Sequence, residues 1–98
     1  MLSYNAEGQH VRKQHKSYRV AATAVASSLS LEQTSKFLKI RNLGANEVYV
    51  TFDSDIVTIA NGFVIPANSS EDFEIQVGVI NFICDTAESA AVSVMESY

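Results

Sequence analysis

From residue 37 onward the chain alternates apolar and polar positions with a period of two. In residues 37–42, Leu38 and Ile40 fall on one face and Lys39 and Arg41 on the other. Residues 47–52 repeat the pattern, with Val48, Val50 and Phe52 opposite Glu47, Tyr49 and Thr51. Strict alternation of this kind predicts half-buried strands. Gly44 and Asn46 lie between the two runs and supply turn chemistry, so the pair reads as a hairpin. Asp53, Ser54 and Asp55 break the run. Residues 56–59 and 63–65 then flank a tight-turn signal at Asn61 and Gly62. Pro66 has no N–H to give to a ladder and ends that strand. Residues 71–77 alternate with Phe73, Ile75 and Val77 inward, and Gly78 permits a bend. Residues 79–84 are nearly all apolar, as in a central strand covered on both faces. In residues 91–96, Val92 and Val94 oppose Ala91, Ser93 and Met95.

The first third of the chain is less regular. Tyr18, Val20, Ala22 and Ala24 share one face of a weak strand, and the alanines leave a helix open. Residues 27–36 read as a loop or a short helical turn. Residues 1–16 show neither period and read as an arm ordered by a partner. Together these patterns predict about seven short strands and no long helical repeat. The expected fold is all-β, a small antiparallel β-sandwich or barrel, jelly-roll-like, at residues 18–98, with an extended basic amino-terminal arm at 1–17. The expected core is Val48, Val50, Phe52, Phe73, Ile75, Phe82, Val92 and Val94.

Composition narrows the class of function. With 98 residues and 47% hydrophobic positions, the sequence fits one small globular domain that gains from association. The single cysteine, Cys84, sits in an apolar run and reads as a buried, inert thiol. No apolar run approaches the length needed to span a bilayer. Residues 20–26 end in a small-residue pattern, but Thr23 interrupts them and they lack Leu, Ile and Phe, so a signal peptide is not expected. Charge is uneven. Residues 1–19 hold Arg12, Lys13, Lys16 and Arg19 against Glu7, a net +3, whereas the remaining residues carry −7. Such asymmetry points to an arm that seeks an acidic surface.

Each candidate for chemistry has a simpler structural reading. His10 and His15 are five apart and lack an acidic co-ligand. Asp53, Asp55, Glu71 and Asp72 lack the spacing of a calcium loop and read as strand ends. Neither histidine lies in the folded body, so a serine or cysteine triad is not expected. The four glycines form no phosphate-cradling loop. The acidic body opposes nucleic-acid binding through the arm. The sequence therefore predicts a non-enzymatic protein without catalytic residues, cofactor or metal. Its protein-binding residues would be Arg12, Lys13, Lys16, Tyr18 and Arg19, and neither membrane nor nucleic acid is an expected partner.

The order of short motifs resembles small β-sandwich virion structural proteins of tailed bacteriophages, of the capsid decoration or cement type. The residues that carry the resemblance are Ile40, Asn42 and Gly44; Val48 and Val50; Gly62, Ile65, Pro66 and Ser69; and Val92, Val94 and Glu96. They span about two-thirds of the chain. Ala67 departs from the glycine that many members have after the proline. The resemblance implies a cement protein that oligomerises, with a trimer favoured. It would bind across neighbouring major capsid subunits, or other virion proteins, on the outer capsid surface after synthesis in a host cytoplasm. The alternatives it leaves open are a neck or tail component and a glycan-binding head or tail fibre module.

Overall fold

The computed structural model of the chain describes residues 15–35 and 37–97. Among these residues eight strands follow one another: β1 His15–Ala22, β2 Ser27–Ser35, β3 Phe37–Asn42, β4 Val48–Phe52, β5 Phe63–Ile65, β6 Ser70–Phe73, β7 Val77–Ile83 and β8 Ala90–Ser97. They form two antiparallel four-stranded sheets, ordered β1-β8-β3-β6 and β2-β7-β4-β5. Strand 1 pairs with 8, 2 with 7, 3 with 6 and 4 with 5, as if one long hairpin had been rolled up. Pairing of β3 with β8 and of β4 with β7 completes the sheets. This is a small β-sandwich of jelly-roll order.

The inward faces supply the core. Leu38, Ile40, Val48, Val50, Ile65, Ile80, Phe82, Val92 and Val94 are at most 2% exposed. Burial of each large side chain contributes about 1.5–3 kcal/mol. The expected core positions Val48, Val50, Phe82, Val92 and Val94 are among them, and Phe52 and Phe73 pack partly buried against it. Ile75 is 39% exposed, because the chain leaves the first sheet after Phe73 and enters the second at Val77. Residues 71–77 are thus a crossing between sheets rather than one strand.

Three further elements differ from the sequence reading. Residues 27–35 form β2: Leu29 and Leu31 pack inward while Ser28 and Ser30 face out, a period of two written in serine. Residues 37–42 and 47–52 do not pair as a hairpin, because β3 and β4 lie in opposite sheets. Asn42 makes that corner. It is fully buried, donates to the carbonyls of Asn46 (2.7 Å) and Ile65 (3.0 Å), and accepts from the Gly44 N–H (2.9 Å). A β-carbon at Gly44 would lie 2.7 Å from the Ala90 side chain, so the corner closes without room for one.

Residues 56–59 are not a strand but part of a strap, residues 53–62, folded over the outer face of the second sheet. Thr51 and Asn81 point outward there yet are buried. Asn81 Nδ2 donates to the carbonyls of Asp53 (3.1 Å) and Asp55 (2.9 Å), and Thr51 Oγ1 donates to that of Asp55 (2.7 Å). Asp53 turns the chain with φ 56° and its carboxylate accepts the Gly78 and Val79 N–H groups. The strap is why β7 is covered on both faces.

Candidate functional site

The two flanks of the sandwich are closed differently. On one flank Phe73 of β6 meets Phe52 of β4 and Phe63 of β5 edge-on, at ring-centroid distances of 5.2 and 5.1 Å. Such aromatic pairs join the sheets with oil. The opposite flank, where β1 and β2 run past each other, is closed by a polar cluster. There β2 leaves its register with β7 between Ser30 and Ser35. The Glu32 N–H turns to the other sheet and donates to Tyr18 Oη (2.9 Å) and Glu96 Oε2 (3.2 Å). Tyr18 in turn donates its hydroxyl proton to Glu96 Oε2. Lys16 stands opposite Glu96 in the β1–β8 register, and its Nζ lies 3.5 Å from Glu32 Oε1.

Of the residues expected to bind protein, Arg12 and Lys13 lie outside the described residues, as do His10 and most of the expected arm. The strand begins at His15, inside the stretch read as arm, so Lys16, Tyr18 and Arg19 all belong to β1. Lys16 and Tyr18 share the inward-facing parity and are used within the fold. Arg19 is exposed on the outer face beside Ser93 and Arg41. Glu96 was not singled out as a site residue, although the parity of Val92 and Val94 carries it inward. The signal was present but lies at the chain end, where a charge ordinarily marks solvent.

Burial first, and then the bond to Glu96, pushes the Tyr18 phenol up to about 12 from its ordinary 10. Between those values the folded chain holds a proton that the unfolded chain has released. Stability present below pH 10 is therefore lost as pH rises toward 12. Tyr49 is also raised, by its bond to Glu47. Comparing wild type with Tyr18→Phe isolates the first effect: the thermal midpoint of the wild type should fall more steeply from pH 10 to 12. Parallel curves would contradict it.

Cys84 is 1% exposed, burial raises its thiol, and its Sγ faces the Ala22 carbonyl at 3.6 Å. A thiol-specific disulfide reagent should not modify it until denaturant is added. Rapid modification of the native chain would show otherwise.

Strand edges form the remaining surface. β1 and β6 bound the first sheet, and β2 and β5 the second. Beside β6 lies a groove of about 590 Å³ with Phe37, Phe73 and Met95 in its lining and Lys39, Asp72 and Glu74 among its polar walls. Lys39 and Asp72 pair across it at 3.4 Å. Among the described residues no helix is long and apolar enough to cross a membrane.

The class defined by this geometry is a small jelly-roll β-sandwich in which, among the described residues, each sheet ends in two edge strands paired on one side. No protein-family model and no curated protein matches the sequence. Among solved structures, one described as "Bacillus endospore appendages form a novel family of disulfide-linked pili" is similar, with a TM-score of 0.51 and 21% identity. The match covers 100% of this chain and 96% of that one. The likeness is one of fold.

This corrects the capsid-decoration reading, because the full-length match is to a pilus protein and not to a phage virion protein. The capsid partner goes with that reading. The motifs behind the resemblance are fold devices. Asn42 and Gly44 build a corner, and a β-carbon at Gly62 would lie 2.6 Å from that of Tyr49. Such positions report how a small sandwich closes.

Proposed function

We propose that this chain is a non-enzymatic structural subunit whose copies associate into an oligomer or polymer of the pilus type. The observation that carries the reading is the combination of four edge strands, each paired on one side among the described residues, with a fold matched along its full length by a pilus protein. Unpaired N–H and C=O groups along an edge are a template for another strand. The longest edge strands are β1, with eight residues, and β2, with nine.

The similar pili are described as disulfide-linked. This chain would be joined otherwise. A covalent chain of subunits needs at least two cysteines in each, and these 98 residues hold one, which is buried. One thiol per copy can make a dimer and nothing longer. Assembly here therefore rests on strand pairing and side-chain contacts, and it should be reversible on dilution and indifferent to reductant.

Sedimentation velocity over a wide concentration range, with and without dithiothreitol, tests this. The expected result is mass that grows with concentration in both conditions. A monomer throughout would overturn the proposal, and assemblies lost on reduction would overturn its non-covalent part.

A further inference from the structure

The two broad faces of the sandwich carry opposite charge. Among the described residues the cations are Lys16, Arg19, Lys39 and Arg41, and all but Lys16 stand on the outer face of the first sheet. Leu38 and Ile40 turn inward from β3, and Val92 and Val94 from β8, so Lys39, Arg41 and Ser93 point outward. Arg19 and Arg41 stand opposite Ser93 from either side, in one row across β1, β8 and β3. Two strand spacings set their backbones about 10 Å apart. Ser93 between them, and Ala21 and Ala91 in a neighbouring row, are small and leave both arginines exposed. Lys39 is matched by Asp72 at 3.4 Å, and Glu74 lines the groove beside it.

The opposite face carries acids. Val48 and Val50 turn inward from β4, so Tyr49 points out of the second sheet. Its hydroxyl donates to Glu47 Oε1 at 3.1 Å. That bond first, then burial, then the charges of Glu47, Asp85 and Glu88 raise its phenol, so three carboxylates gather at one corner. Asn46 Nδ2 donates to the Ser89 carbonyl at 3.0 Å and ties together the two connections that bear them. The ion pairs among the described residues, Lys16–Glu32 and Lys39–Asp72, use none of these three acids and neither Arg19 nor Arg41.

We propose that Arg19 and Arg41 of one copy dock on the Glu47, Asp85 and Glu88 corner of a second copy, outer face of the first sheet against outer face of the second. This rests on the assembly reading above and assigns it a contact. Charge complementarity selects the occupant: each copy offers the cations that the other's corner lacks, and the acids that the other's arginines lack. Position agrees. Arg41 precedes Asn42, where β3 turns toward β4, and Glu47 and Tyr49 follow that same turn. The basic pair and the acidic corner therefore lie at one end of the sandwich on opposite faces. A copy displaced along the sheet normal brings the one over the other. Because two different patches meet, each copy receives one neighbour and reaches another, and the series does not close at a dimer.

The test uses full-length chains in sedimentation equilibrium. The double variants Arg19→Glu, Arg41→Glu and Glu47→Lys, Glu88→Lys should each weaken self-association about tenfold or more, because like charges then meet. A chain with all four substitutions has the charges exchanged between its faces and should associate about as strongly as the wild type. A control joins the two arginine reversals to Glu71→Lys and Glu74→Lys at the β6 flank. It has the wild-type net charge and should associate as weakly as the arginine variant. All these chains should keep thermal midpoints close to that of the wild type, since the substitutions lie at the surface. Arg19→Gln with Arg41→Gln replaces the arginine reversals if they do not fold, again with weakened association expected. Wild-type association in either double variant would overturn the site while leaving assembly intact. Failure of the exchanged chain to regain association would overturn it too. Recovery in the flank control would do the same, by showing that net charge alone decides. A wild-type chain that remains monomeric would overturn the assembly reading and this site with it.

Discussion

Asn42→Ala should cost about 3–4 kcal/mol of folding stability, from three hydrogen bonds at about 1 kcal/mol each plus the penalty of leaving buried groups unpaired. The substitution takes the side-chain partner from the Gly44 N–H and from the carbonyls of Asn46 and Ile65, in a corner whose centre is fully buried. A chain of this length has roughly 5–15 kcal/mol in total. The loss is therefore a large share of the whole, out of proportion to one exchanged polar side chain. Urea unfolding should show a much lower midpoint with an unchanged slope. A loss below about 1 kcal/mol would mean that the corner is held by the close packing at Gly44 and not by Asn42.

The second large effect concerns where the chain can be cut. Removing residues 1–14 touches none of the contacts described for the sandwich, so the remainder should fold with a thermal midpoint close to that of the full chain. Removing residues 1–22 should abolish folding. That cut strips all eight β1 residues from β8, exposes the flank of Val92 and Val94, and leaves Glu96 without Tyr18. Circular dichroism and thermal melts of the two truncations decide the matter. Equal stability of both would show that β1 is an accessory strand. Unfolding of the shorter cut would place residues 1–14 in the core.

Much of the fold was legible because alternation is a direct record of burial. Leu38 and Ile40, Val48 and Val50, and Val92 and Val94 all face inward as their spacing predicts. Cys84 is buried where its apolar run placed it. What failed is what alternation does not encode. Partner choice between strands is one case. Two alternating runs with a turn between them look like a hairpin, and the buried Asn42 that sends them to opposite sheets reads in sequence as an ordinary turn residue. Serine hides another strand, since Ser28 and Ser30 mark an exposed edge in β2 and suggest a loop. Ile75 and Ile56 show the reverse: both are apolar, and both lie exposed in connections that leave a sheet.

The candidate site was legible in part. Tyr18 was placed on the same face as Val20 and Ala22, which turns it into the sandwich, yet its neighbours Lys16 and Arg19 suggested an outward docking patch. Basic residues near a chain end predict electrostatic attraction without saying what receives it. Glu96, the carboxylate that Tyr18 bonds, is a single acid eighty residues away from Lys16, and strand pairing sets the two opposite each other.

Electron microscopy of the purified chain at high concentration, with reductant present, tests the central claim most directly. The account predicts regular rings or filaments built from 10.7 kDa subunits, dispersing on dilution. A field of separate monomers, or filaments that vanish once disulfides are reduced, would contradict it.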